Sequence, residues 1–111
     1  MSYKLKIDPL AKMDMLESTI WYNKQRTGLG RRYYNRVKQL LSTIKRNPYM
    51  FQVFYKELRM ATVKKFPFIV LYLIDENKKQ VAVTAVFNTS RDPLIWEERT
   101  NTILLKANAA D

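Results

Sequence analysis

Twelve of the chain's Lys and Arg residues fall between Lys24 and Lys65, and Glu57 is the one acid among them. The rest of the chain carries eight cations and nine acids, so the entire formal charge of +10 resides in one segment. There is no His and no Cys. That removes the commonest general base, the commonest metal ligand, thiolate nucleophiles and every Ser-His or Cys-His triad. No metal site and no cofactor is expected, and any catalysis must draw on Lys, Arg, Tyr, Asp or Glu. A lysine acting as a base would need its pKa lowered by burial or by clustered cations. With a single acid in the segment, the cations are not there for pairing along a helix. They suggest a surface that meets phosphate backbone or an acidic protein, against the plainer alternative of a solvated face.

The elements that must position these charges can be read from periodicity. Ser2 to Asp8 alternates, with Tyr3, Leu5 and Ile7 on one side, as a half-buried strand does. Asp8-Pro9 is helix-start chemistry, an N-cap oxygen followed by a proline in the first turn. From Pro9 to about Gln25, Leu10, Met13, Leu16 and Ile20 form one apolar stripe, Ala11, Met15 and Tyr22 a second, and Trp21 lies between. A helix apolar on two sides either sits deep in a core or offers one side to a partner. Thr27-Gly28-Leu29-Gly30 breaks this helix. Residues 31–46 form the next, with Tyr33, Val37, Leu40, Leu41 and Ile44 inward and Arg31, Arg32, Arg36, Lys38 and Lys45 around the rest, and Asn47-Pro48 stops it.

The second half reads as sheet. Phe51 to Lys65 is a strand region interrupted at Lys56-Glu57. Phe66 to Ile74 is almost wholly apolar and reads as a buried central strand. Asp75 to Lys78 is a turn, Lys79 to Phe87 the returning strand, Asn88 to Pro93 a loop, and Leu94 to about Arg99 a short helix or turn. The expected fold is α+β: an N-terminal strand and a two-helix hairpin packed on a small antiparallel sheet, with a short C-terminal helix. Residues 1–99 form one domain and 100–111 a tail. No segment approaches the length of a membrane span, the N-terminus lacks a secretory apolar run, and the cytoplasm is the expected compartment.

At FPFIVLYLID, the following QVAVTAVF and the closing NTSRDPLIWEER, the chain resembles the RelE/ParE superfamily of type II toxin–antitoxin toxins, nearer its ParE-like, plasmid-stabilisation branch. Asp14 among apolar residues, Gly28-Leu29-Gly30, Asn47-Pro48 and Arg59 fall where that family has such features. The resemblance implies a growth-arresting toxin silenced by a cognate antitoxin whose C-terminal segment wraps it. The pair contacts DNA only through the antitoxin complex, which represses its own operon. It implies two mechanisms: ParE-like members block DNA gyrase, and RelE-like members cut mRNA on the ribosome using Lys and Arg. A third possibility is a degenerate toxin that only holds its antitoxin.

Against the nuclease pattern, Ile69 stands at the strand arginine and Met60 and Thr62 near the two lysines. Arg59, Lys64, Lys65 and Arg91 remain as catalytic candidates. With Arg31, Arg32 and Arg36 they form the expected target-binding set. Arg91 is either a phosphate or protein grip or one half of a loop salt bridge with Asp75 or Glu76. Asn88 stands where many relatives carry a histidine. Tyr55 and Tyr72 could stack a base, although Tyr72 in a buried strand reads first as core. Met13, Met15, Trp21 and Tyr22 are the expected antitoxin contacts, and Trp96 an anchor for the terminal helix.

Overall fold

The computed structural model describes residues 3–90, 98–103 and 105. Strand β1 (Lys4–Ile7) leads into α1 (Pro9–Gln25) and α2 (Leu29–Arg46). A single 3₁₀ turn over Pro48–Met50 follows, and then β2 (Val53–Tyr55), β3 (Leu58–Thr62), β4 (Phe68–Asp75) and β5 (Gln80–Asn88). Residues 98–103 are helical. The five strands form one sheet in the order β1-β5-β4-β3-β2. β2 to β5 are antiparallel, as expected, but β1 pairs in parallel with β5, so the sheet is mixed. The turn at Lys56-Glu57 divides the Phe51–Lys65 region into two strands. Asp8 occupies the N-cap of α1, but its side chain makes no capping bond. Its backbone N–H instead continues the β1–β5 ladder to the Val83 carbonyl, and its carbonyl accepts from Lys12.

β4 organises the rest. Phe68, Val70 and Tyr72 face the two helices, and Ile69, Leu71 and Leu73 face the other way. On the helix side they meet Ala11, Met15, Tyr33, Val37, Leu41 and Ile44. On the far side they meet Leu58, Met60, Ala85, Phe87 and Ile103 from the C-terminal helical residues. β5 can serve both layers only because of a bulge. Leu71 pairs with Ala85 and Tyr72 with Val83, which leaves Thr84 as the extra residue. Val81 and Val83 therefore face the helices, while Ala85 and Phe87, two residues on in the same alternation, face the far layer. Thr84 is buried, and its hydroxyl donates to the Leu71 carbonyl at 3.1 Å.

The α1–α2 corner uses both glycines. Gly28, at φ 89°, takes the left-handed conformation ahead of α2. Gly30 lies so close to α1 that a Cβ there would sit 2.4 Å from the Thr19 carbonyl oxygen. Its N–H donates to Asn23 Oδ1 at 3.0 Å. Near this corner the rings of Tyr22, Tyr33, Phe66 and Phe68 pack at centroid separations of 4.8–6.0 Å and tie the β3–β4 turn to the end of the helical hairpin.

Alanine at a helical glycine ordinarily gains about 0.8–1 kcal/mol. At Gly30 the backbone contact reverses the sign, and Gly30→Ala is expected to lose about 1–3 kcal/mol in urea unfolding. Gly28→Ala, with open space around it, should lose only the left-handed strain, about 1–2 kcal/mol. A stabilised Gly30→Ala protein would contradict the close helix approach.

Candidate functional site

The two apolar stripes of α1 separate cleanly. Ala11 and Met15 are buried, and Tyr22 is half-buried in the aromatic cluster. Leu10, Met13, Leu16, Ile20 and Trp21 face outward, between 42% and 60% exposed. Of the four expected antitoxin contacts, Met13 and Trp21 lie on this outer face. Met15, at 5% exposure, belongs to the core, and Tyr22 turns inward. The reason is the sheet itself: β5 and β4 offer one apolar surface to α1, and the narrower stripe with the small Ala11 allows the closer approach. The outer face adjoins a groove of about 380 Å³ lined by Glu17, Ser18, Trp21, Phe68 and Asn88.

The expected target-binding cations do not converge on one point. Arg31 and Arg32 are exposed on the first turn of α2, with Arg36 half-buried one turn further on. Lys64 and Lys65 are exposed on the β3–β4 turn, which the Phe66 ring holds against Tyr22 and Tyr33 at the same end of the molecule. Arg59 lies near the start of β3, five residues before Lys64 in the turn that follows the strand. Its guanidinium donates to the Phe51 carbonyl at 2.5 Å and covers the Tyr49 ring at 5.1 Å. Arg91 lies outside the described residues, as do Asp92, Pro93 and Trp96. Among the described residues the ion pairs are Lys79–Glu76 and Arg99–Asp14, so none of the twelve cations between Lys24 and Lys65 has a carboxylate partner there.

Tyr72 is wholly buried, its hydroxyl donating to the Pro48 carbonyl at 2.6 Å. Burial pushes that hydroxyl up to about 12, with the nearby Arg59 opposing. It is a core residue and cannot stack a base. Tyr55 is exposed beside Lys56. The three positions that weaken the nuclease pattern share one face: Met60 and Ile69 pack in the far apolar layer, and Thr62 pairs with Ile69 in register.

Two polar clusters have, as clusters, no signature in the sequence. Glu76, in the β4–β5 turn, accepts from the hydroxyls of Tyr3 at 2.9 Å and Tyr49 at 2.5 Å and from the Lys79 ammonium. The Lys79 bond, then Tyr49 and Tyr3, hold its carboxyl down to about 2. The same bond to Glu76 is the main cause that raises Tyr49 to about 12. Asp14 forms the second cluster. Its carboxylate accepts the Val86 N–H at 3.0 Å and takes both guanidinium nitrogens of Arg99, at 2.8 and 3.2 Å. β1 pairs with β5 only through Val83, so the Val86 amide has no strand on that side and α1 supplies the acceptor. Arg99 also covers the Phe87 ring at 5.1 Å. An acid on an otherwise apolar helix flank was the available signal for Asp14. Its two partners, more than seventy residues away, carried none. Among the described residues no group of His, Cys, Asp and Glu could hold a metal ion, and no helix is long and apolar enough to cross a membrane.

The family model for the ParE toxin of the type II toxin–antitoxin system parDE matches residues 5–93. The chain belongs to the ParE toxin family. Solved structures repeat the fold. One is of the chromosomal ParDE toxin–antitoxin system from P. aeruginosa, with a TM-score of 0.70, 11% identity, and 80% of this chain and 98% of that chain covered. Another is a mutant of the E. coli toxin RelE in the free state, with a TM-score of 0.68, 16% identity, and 93% and 99% covered. A third is the RelBE2 toxin–antitoxin complex from Mycobacterium tuberculosis, with a TM-score of 0.61, 16% identity, and 79% and 99% covered. A search of curated proteins finds no match. In this ParE toxin the α+β fold expected from the sequence is present, with the half-buried ion pair of Asp14 and Arg99 joining its two layers.

Asp14→Ala should cost about 2–4 kcal/mol in chemical unfolding, because it strands both the Arg99 charge and the Val86 amide. Asp14→Asn keeps an acceptor for the amide and should cost less. Glu76 predicts a pH dependence. Its folded value lies below the ordinary 4.5, so its contribution is complete above that pH and fades as pH falls toward 2. Thermal midpoints of the parent and Glu76→Gln should therefore differ at pH 7 and merge near pH 2.

Proposed function

We propose that this ParE toxin arrests growth by binding DNA gyrase in the cytoplasm, and that a cognate antitoxin silences it by covering the outer face of α1. The observation that carries the gyrase reading is the composition of the far sheet face. Where the resemblance puts nuclease cations, this chain has Met60, Thr62 and Ile69. Two of these belong to an apolar layer closed by Ile103. Arg59 is held by the Phe51 carbonyl and the Tyr49 ring, away from Lys64 and Lys65, so among the described residues these cations do not make a composite acid–base site. Arg31, Arg32, Arg36, Lys64 and Lys65 gather at the hairpin end as the contact surface for the target. Met13 and Trp21, with Leu10, Leu16 and Ile20, form the shelf for the antitoxin. A helix that buries one stripe and exposes another of equal apolarity fits a groove-binding partner segment. The solved RelBE2 and ParDE neighbours are toxin–antitoxin assemblies, which supports a partner of that kind here.

Induced expression, with chromosomal supercoiling and translation followed in parallel, tests the reading. The expected result is growth arrest with altered supercoiling, a DNA-damage response, and intact transcripts on the ribosome. An early translation stop with A-site mRNA cleavage, abolished by Ala at Arg59, Lys64, Lys65 and Arg91, would replace gyrase with the ribosome. Unimpaired growth at good soluble expression would identify a degenerate toxin.

A further inference from the structure

Helix α2 turns Tyr33, Val37, Leu41 and Ile44 into the core. On one flank of the helix, running from beside that face round toward its back at 100° per residue, lie Arg31, Asn35, Lys38, Ser42 and Lys45, all exposed. Their spacing alternates between four and three residues, so they form one seam about 21 Å long in which cations alternate with neutral hydrogen-bonding side chains. The Lys38 ammonium lies over the Tyr34 ring at 5.6 Å, which orders it within the seam. None of the three cations meets a carboxylate among the described residues.

This arrangement opposes the folding of α2 on its own. The N-terminal end of a helix carries partial positive charge and favours acids. α2 places Arg31 and Arg32 there and has no acid in its first turn. Arg32 and Arg36 add a like-charge pair one turn apart. A helix shaped for stability alone would interleave Glu or Asp, and this one carries none along its 18 residues. Lys45 and Arg46 suit the C-terminal end of the helix, but the first-turn cations have no carboxylate partner among the described residues.

We infer that the outer seam of α2 binds the backbone of duplex DNA directly. The inference does not depend on the choice between gyrase and ribosome, although it shares Arg31 with the proposed target surface, and it departs from the contact through the antitoxin complex alone that the family resemblance implies. A convex helical ridge fits the B-form major groove, about 12 Å wide, and not the deep narrow groove of A-form RNA. Cations recurring every seven residues, about 10.5 Å, can neutralise phosphates along the groove wall. Asn35 and Ser42 supply neutral hydrogen-bonding groups between them.

Fluorescence anisotropy of a short labelled duplex with the full chain, between about 50 and 200 mM salt, is the test. The parent should bind with steep salt dependence. The triple variant R31Q/K38Q/K45Q should flatten the log–log salt slope by about 2.7 and weaken binding at least about tenfold at the lower salt. Its melting temperature should change little, because losing Arg31 relieves first-turn repulsion while losing Lys45 removes a favourable last-turn charge. Should it fold poorly, single K38Q and K45Q proteins carry the same test, each flattening the slope by about 0.9. The control K4Q/K6Q/K12Q removes equal charge elsewhere and should leave affinity within about twofold if the seam, not net charge, positions the phosphates. The inference fails if the control loses as much as the seam variant. It also fails if double-stranded RNA of the same sequence, or polyglutamate, binds as tightly as the DNA.

Discussion

A strand apolar on both sides must be covered on both sides, and β4 imposes that condition on the whole chain. Every residue from Phe68 to Tyr72 is buried. Their alternation sends half of them toward the helical hairpin and half toward the opposite layer. Fully burying one such side chain is worth about 1.5–3 kcal/mol, so neither layer can be left open to water. The hairpin covers one layer. The chain must return from the end of β5 to cover the other, and Ile103 and Thr100 are buried as a result.

The two layers are joined where the sheet is weakest. β1 is four residues long and β5 is nine, so β5 runs past its parallel neighbour and would present bare amides. The Thr84 bulge switches which residues face each layer at nearly the same place. Asp14 reaches from α1 on one side, Arg99 from the C-terminal helical residues on the other, and the Asp14 carboxylate accepts both the guanidinium and the Val86 N–H at that edge. One carboxylate thus completes a backbone hydrogen bond, balances a half-buried guanidinium and links the two coverings. Phe87, beneath the guanidinium, makes the same contact apolar on one side and ionic on the other.

Much of this was legible in residue order, because local chemistry decides it. Pro9, the Gly28–Gly30 corner and Asn47-Pro48 bound the helices to within two residues, and the Lys56-Glu57 and Asp75–Lys78 turns bound the strands. What stayed hidden depends on long-range choice. Two apolar stripes on α1 are equivalent by periodicity, and only the surface offered by β4 and β5 decides that Ala11 and Met15 go in while Leu16 and Ile20 stay out. Parallel pairing of β1 has no local signal, because alternation reads the same in either direction. The bulge hides for a related reason: Val81, Val83, Ala85 and Phe87 look like one face until Thr84 is counted out of register. The site was partly legible. The segment holding the charge is evident from composition, but proximity in sequence groups Arg59 with Lys64 and Lys65, and a strand carries residues five apart away from one another.

The consequence for function is a division of labour between surfaces of opposite character. α1 exposes apolar side chains flanked by Glu17, and α2 exposes cations with no acid among them. A folded monomer gains from neither: the first leaves apolar surface in water, and the second stacks like charges against a helix dipole. Both are sustained by the stability of a sheet buried on two sides, and both become favourable when covered. Because the two surfaces lie on different helices, covering the apolar one need not occlude the cationic one. A chain built this way can therefore be held by one partner while its charged ridge remains available to another, and separate substitutions on α1 and α2 will act on separate binding events.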